Sequence, residues 1–323
     1  MRVVDVKVQV QVQAVRVEAH GVHSYELRAL GGSDLPAFTA GAHVDLHLPN
    51  GMTRSYSLCN SPSERDRYVI AVSKSATSRG GSKFIHEQLH AGAMLGIGRP
   101  RNNFALCEDA AHSILIAGGI GITPMRAMIA RLETLEQSWE LFYSCRERPM
   151  AAYLGELQAL GARKDKRVQL NFDREPGGAM LDLTRIARDA AADSHIYCCG
   201  PQPMLAAFES ATAFLDPERV HLEYFASKPK SPATNGGFHV ELARSGRIIW
   251  VDAGKSILDT LLAQDIEVPY SCMEGVCGAC ETRVLGGIPD HRDGVLSEVE
   301  RASSDRMMIC CSGAKTERIR LDL

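Results

Sequence analysis

The sequence predicts a β + α/β + α+β protein: an antiparallel barrel, a parallel sheet covered by helices, and a smaller mixed unit on a tether. Three observations carry this expectation. Apolar and polar residues alternate in short pieces through residues 1–106, as in half-buried strands. Strand and helix patterns then take turns through residues 107–226, which indicates a parallel sheet. Residues 227–237, SKPKSPATNGG, lack any large apolar side chain and read as an exposed tether; residues 238–323 form the last unit.

In the first unit Val6, Val8, Val10 and Val12 alternate with Lys7, Gln9, Gln11 and Gln13. His43 to Leu48 alternates as well, and Tyr68-Val69-Ile70-Ala71-Val72 is a short run of strand formers. Turn residues at Leu48-Pro49-Asn50-Gly51 and Asn60-Ser61-Pro62-Ser63 separate them. Several short strands at this spacing suggest an antiparallel barrel. One helix is expected near Ser82 to His90. In the second unit the apolar run Ile114 to Ala117 meets the turn Gly118-Gly119-Ile120-Gly121, and a helix is expected from Pro124 through Leu132. Further strands are expected at Leu141–Tyr143, Val168–Leu170 and His195–Cys198. In the third, a strand at Phe238–Leu242 and a helix over Ser256–Gln264 precede a cysteine-rich loop.

The net charge of −3 provides no basic field for nucleic acid or an anionic membrane surface. No apolar run approaches the roughly 20 residues needed to span a bilayer. The alternating N-terminus lacks the apolar core of a signal peptide, so a cytoplasmic location is expected. Thiols stay reduced there, and ten cysteines then point to metal binding rather than disulfides.

Cys272, Cys277, Cys280 and Cys310 follow C-x4-C-x2-C…C, the plant-type spacing for four thiolates on a [2Fe–2S] cluster. Gly275, Gly278 and Ala279 leave room for the backbone to close around it. Cys311 is the alternative fourth ligand, but the apolar approach Met307-Met308-Ile309 favours Cys310. A zinc site usually pairs two C-x2-C knuckles, and this chain has one. The glycine turn at Gly118, Gly119 and Gly121 lies between a buried strand and a helix, where backbone can approach a pyrophosphate. Pro124 suits a first helical turn. The spacing is not G-x-G-x-x-G, so a plain tight turn stays open. A second glycine-bearing strand end, Cys199-Gly200-Pro201, would bring both kinks to the carboxyl edge of one sheet. Arg54, Tyr56 and Ser57 offer a cation, a ring and a hydroxyl for a flavin, although Arg and Tyr alternating on a strand also make an ordinary solvated face. Arg79-Gly80-Gly81-Ser82 reads as a phosphate cradle or a simple helix cap.

Together, Arg54-x-Tyr56-Ser57, Gly118-Gly119-x-Gly121-x-Thr123-Pro124, Cys199-Gly200-Pro201-x-x-Met204 and the cysteine loop resemble the phthalate dioxygenase reductase family. Vanillate O-demethylase reductases belong to the same group. Asp290-His291-Arg292-Asp293 also looks like this group. The resemblance implies a flavin barrel, a nicotinamide domain and a β-grasp ferredoxin domain, in that order. It implies FMN rather than FAD, held by Arg54, Tyr56, Ser57, Arg79, Gly80, Gly81 and Ser82 and lined by Ala71, Val72 and Ser73. It places Thr123 near the isoalloxazine, Phe225 over its nicotinamide side, and Cys199 beside the nicotinamide; Ser57 and Cys199 lie nearest the hydride path. It implies NADH, although Arg146 in Ser144-Cys145-Arg146 could serve the NADPH phosphate; Asp173 could be a ribose acid or a solvated loop residue. It further implies a monomer that passes electrons from NADH to FMN to [2Fe–2S] to a Rieske-type oxygenase. A reductase for another soluble acceptor shares every motif, and a non-enzymatic ferredoxin-like carrier is the distant alternative.

Overall fold

Alternation at the N-terminus produces a long strand, β1 (Val8–Ala19), that carries Val10 and Val12 into a core where neither is exposed. The protein is described by a computed structural model over residues 8–74, 80–163, 167–225 and 236–323. It divides into two compact units, Met1–Glu223 and Tyr224–Leu323.

The first unit opens with a six-stranded sheet. It adds β2 (Val22–Ala29), β3 (His43–His47), β4 (Thr53–Ser57), β5 (Tyr68–Ser73) and β6 (Met94–Ile97) to β1. The order is β4-β3-β6-β1-β2-β5, antiparallel throughout. The two outer strands meet at a bridge between Leu58 and Ile70, with Cys59 N donating to Val69 O at 2.9 Å. The sheet thus closes into the barrel expected, and closure removes its open edges. Helix α1 (Gly81–Gln88) follows β5, close to the span expected.

The parallel sheet contains β7 (His112–Gly118), β8 (Ser138–Cys145), β9 (Arg167–Phe172), β10 (Ser194–Cys199) and β11 (Val220–Glu223). Its order is β11-β10-β7-β8-β9, every pair parallel. Helices α2 (Ile122–Thr134), α3 (Leu154–Gly161), α4 (Leu183–Asp189) and α5 (Gln202–Thr212) connect the strands. The chain runs outward from β7 through β9, then returns to the other side of β7 at β10. The switch point therefore lies between β7 and β10, the crevice where open α/β sheets bind ligands. Barrel and sheet share one core: Val22, Cys59 and Val69 pack with Leu115, Met125 and Met128. Arg126 on α2 stacks 3.8 Å from the Tyr153 ring centroid and donates to Cys59 O at 3.1 Å.

On β10 and β11, His195 Nδ1 and His221 Nε2 lie 2.9 Å apart, so one ring must donate and the other accept. Burial, with His195 adding to it, lowers His221 to about 4. The folded protein thus binds fewer protons than the unfolded chain between pH 6.5 and about 4. The stability that depends on neutral His221 is present above pH 6.5 and lost as pH falls through that window. Full loss amounts to about 3 kcal/mol. Urea midpoints at pH 7 and pH 4.5 should differ less in His221→Phe than in the unmodified protein; equal differences would contradict this.

The second unit contains β12 (Phe238–Leu242), β13 (Ile248–Val251), helix α6 (Ile257–Leu262), β14 (Glu281–Gly286), β15 (Pro289–Asp290), helix α7 (Glu298–Ser303), β16 (Arg306–Met308), β17 (Gly313–Ala314) and β18 (Arg318–Leu321). The main sheet runs β13-β12-β18-β14-β16, with β12 and β18 parallel. Its core packs Val240, Ile249 and Ile319 against Ile257, Leu258 and Leu261 of α6, a β-grasp arrangement. The helix expected over Ser256–Gln264 is shorter, because Ser256 serves as its cap and accepts from Asp259 N.

Candidate functional site

Two glycine turns meet at the switch point, and neither tolerates a side chain. A Cβ on Gly121 would stand 2.0 Å from Cys199 O, and one on Gly118 would stand 2.5 Å from Pro201 Cδ. Gly200 faces Gly118 and Met204 in the same way. These glycines therefore permit β7 and β10 to end against each other. Gly119 differs: its φ is 53° and nothing lies within 4 Å of its Cβ position. A 3-10 turn over Gly119–Gly121 leads directly into α2, and Ile122 N donates back to Gly119 O, so the amides left for a diphosphate are those at the start of that turn, which carries no side-chain cap. Thr123 is buried, and its hydroxyl donates to Ile120 O at 2.9 Å, closing the turn.

Parallel pairing sets Cys199 directly opposite Glu223, and the thiol points to Glu223 Oε2 at 3.9 Å. Burial pushes the Glu223 carboxyl up to about 8, while Ser57 and Cys199 pull it partway back. Burial also holds the Cys199 thiol well above its ordinary range, with Glu223 adding to it. Ser57 ends β4 buried, and its Oγ makes no hydrogen bond of ordinary geometry. Both shifts favour the neutral forms, so the three side chains offer a hydroxyl, a thiol and a carboxyl biased toward its protonated form. Such a site suits the neutral dihydronicotinamide ring of NADH. Glu223 was not singled out from the sequence; only the register of β11 against β10 reveals it.

Arg54 and Tyr56 lie half-buried on β4. Helix α1 begins after Gly80, at φ 98°, with no side-chain cap. A Cβ on Gly81 would stand 2.6 Å from Arg54 Nε, so the guanidinium lies against the helix start. A cation beside a helix N-terminus fits the phosphate of a flavin mononucleotide. Ser82 follows in the first turn, and Arg79 falls outside the described residues. Ala71 and Val72 turn their side chains into the two cores, so only their main chain can line a flavin; Ser73 is partly exposed. Phe225 is 36% exposed and belongs to the second unit.

Beyond β8 and β9, Asn171 Nδ2 donates to Ser144 Oγ at 3.1 Å, and Asp173 N donates to Cys145 O at 3.1 Å. Asp173 Oδ1 is buried with no hydrogen-bond partner. An orphaned carboxylate oxygen at this edge suits a ribose hydroxyl.

In the second unit Cys272, Cys277, Cys280 and Cys310 are all buried. Amides point at sulfur: Glu274 N reaches Cys272 Sγ at 3.3 Å, and Cys272 N reaches Cys277 Sγ at 3.5 Å. Gly275 and Gly278 take φ values of 70° and 76°, and Met273 takes 55°, which turn the loop inward. A hydrogen bond with Cys272, reinforced by burial, raises Cys277. For Cys272, a hydrogen bond with Cys277 pulls down, but one with Cys310 and burial raise it overall. Thiols that resist ionising here need cationic iron to exist as thiolates. Cys310 interacts with both Cys272 and Cys311, and Cys311 Sγ is further directed to Met308 O at 3.7 Å and lies 3.8 Å from Ser312 Oγ. No group of three or more His, Cys, Asp or Glu is gathered as for a single metal ion among the described residues.

Residues 115–210 match the Oxidoreductase NAD-binding domain, and residues 240–315 match the 2Fe-2S iron-sulfur cluster binding domain. The chain is 53% identical over 316 residues to the phenoxybenzoate dioxygenase subunit beta of Ectopseudomonas oleovorans, spanning 98% of this chain and 97% of that one. It is 51% identical over 312 residues to the tetrachlorobenzoquinone reductase of Sphingobium chlorophenolicum, spanning 96% of each. The solved structure of phthalate dioxygenase reductase superposes with a TM-score of 0.74 at 36% identity, covering 99% of this chain and 98% of that one. With both domains in this order and full-length likeness on every side, the chain belongs to the phthalate dioxygenase reductase family of NADH-dependent oxidoreductases, which carry FMN and a [2Fe–2S] cluster.

Proposed function

We propose that this chain is the reductase component of a Rieske-type aromatic oxygenase, working as a cytoplasmic monomer. The observation that carries the reading is that a nicotinamide-type site at Ser57, Cys199 and Glu223 shares one chain with a four-cysteine loop. Bound here, FMN would supply the exchange between paired electrons from NADH and single electrons for the cluster. The chain's own residues position and shield. Arg54 and the Gly80–Ser82 turn anchor the phosphate; Tyr56 and the main chain of Ala71, Val72 and Ser73 wall the ring. Gly119 admits the pyrophosphate, while Gly118 and Gly121 let β7 and β10 close together beneath it. Thr123, Gly200 and Pro201 shape the floor. Cys199 and Glu223 exclude water from the hydride path. Burial pushes the Glu223 carboxyl up, which favours its neutral form beside the neutral dihydronicotinamide ring of the incoming donor. Cys272, Cys277, Cys280 and Cys310 hold the iron. The second unit from residue 238 on has 10 Lys+Arg against 14 Asp+Glu, suiting a salt-sensitive contact with a basic partner face.

Asp173 accepts from the adenosine ribose in this reading. Asp173→Ser should raise KM for NADH about tenfold with kcat within about twofold, because the lost interaction is uniform binding. Steady-state kinetics with NADH and NADPH check it; unchanged KM would remove Asp173 from the site. The likeness to a tetrachlorobenzoquinone reductase favours a second reading, with a small quinone as acceptor. NADH oxidation driven by a chlorinated quinone, against oxidation driven by purified oxygenase components, separates the two.

A further inference from the structure

Asp293, in the second unit, is 1% exposed and lies against the cysteine loop. Its Oδ2 accepts from Val295 N at 3.1 Å and Leu296 N at 2.8 Å, and its Oδ1 accepts from Ser312 Oγ at 3.4 Å. Arg301 Nη2 donates to its carbonyl at 2.7 Å and stands 3.9 Å from Oδ2. His291 Nδ1 stands 3.8 Å from Oδ1. The next residue extends the contact, since Gly294 N donates to Gly275 O at 2.8 Å. A Cβ on Gly275 would meet Cys311 Sγ at 2.4 Å and Asp293 Cα at 3.2 Å. One buried acid therefore touches the first cysteine segment through Gly275 and the last through Ser312. Its countercharge, Arg301, is 29% exposed and out of hydrogen-bond reach of the carboxylate, so neutralisation on the spot is incomplete. A buried, poorly paired charge is costly unless the site uses it.

We propose that Asp293 is a positioning residue for the [2Fe–2S] site: it ties the two ligand-bearing segments together and places a fixed negative charge beside the cluster. It rests on the four cysteines holding that cluster. Reduction adds an electron, and a neighbouring negative charge opposes it, so Asp293 makes the reduced cluster a stronger donor. The test is a redox titration of the full-length holoprotein followed by electron paramagnetic resonance. Asp293→Asn keeps the shape and removes the charge; the cluster should become about tenfold easier to reduce, about 59 mV upward for one electron. Arg301→Gln removes the countercharge and should shift the equilibrium about threefold the other way. Asp290→Asn, whose carboxylate instead pairs with Arg292, should shift it less than Asp293→Asn does. If Asp293→Asn takes up no iron while NADH still bleaches the flavin, the tie is upheld and Arg301→Gln reads the charge. Potentials unchanged in both Asp293→Asn and Arg301→Gln overturn the proposal. An unmodified protein with no reduced-cluster signal overturns the [2Fe–2S] reading instead.

Discussion

Replacing Cys277 with serine is expected to abolish electron delivery to any acceptor protein while NADH still bleaches the flavin at its normal rate. Cys277 is buried, and the neighbouring amide of Cys272 is directed at its sulfur. An oxygen there sits on a shorter bond than sulfur and is a harder ligand, so the loop holds iron poorly. The cysteine loop lies in the unit Tyr224–Leu323, whereas Cys199, Glu223 and the glycine turns lie in Met1–Glu223. Damage to the loop therefore leaves the nicotinamide site whole. Stopped-flow absorbance separates the two steps. Should flavin bleaching disappear along with acceptor reduction in a folded Cys277→Ser protein, the order of electron flow would be wrong.

The second large effect is expected at Gly121. Alanine there would drive its methyl to 2.0 Å from Cys199 O and 2.5 Å from Cys199 C, and backbone atoms cannot rotate away as a side chain can. Overpacking of this kind costs about 3 kcal/mol. It also separates β7 from β10 at the switch point, so hydride transfer to the flavin should fall about a hundredfold, the scale of a misplacement near 1 Å. Gly119→Ala should behave differently. Its Cβ meets no atom, and the φ of 53° costs about 1 kcal/mol, yet the methyl would occupy the space a pyrophosphate approaches. KM for NADH should rise with modest loss of stability. Thermal melts beside pre-steady-state kinetics test the contrast, and equal stability losses in the two variants would contradict it.

What was legible in the sequence was local. The valine alternation of β1, the turn at Gly118–Gly121 and the cysteine spacing each lie within a few consecutive residues, and each fixes its own backbone by sterics or ligand reach. The parts that were not legible depend on register and convergence. Glu223 matters because parallel pairing sets it opposite Cys199, and Ser57 joins them from the barrel. For Asp173 the sequence leaves a ribose acid and a solvated loop residue equally open, and the edge of β9 favours the first by leaving one of its oxygens without a partner. Asp293 reads as one more charge in a polar turn until Gly275 and Ser312 close over it. Ala71 and Val72 can line a flavin only through their main chain, because alternation on β5 directs their side chains into the cores on either side. Strand periodicity indicates that neighbours diverge, not which face a cofactor takes.

The central claim is that electrons enter at the Ser57–Cys199–Glu223 site and leave through the four-cysteine loop only by way of the flavin. Anaerobic stopped-flow with NADH on holoprotein and on flavin-depleted protein tests it most directly. Flavin should bleach before the cluster in the holoprotein, and after flavin removal the cluster should not bleach until FMN is restored. Cluster reduction by NADH in flavin-free protein would contradict it.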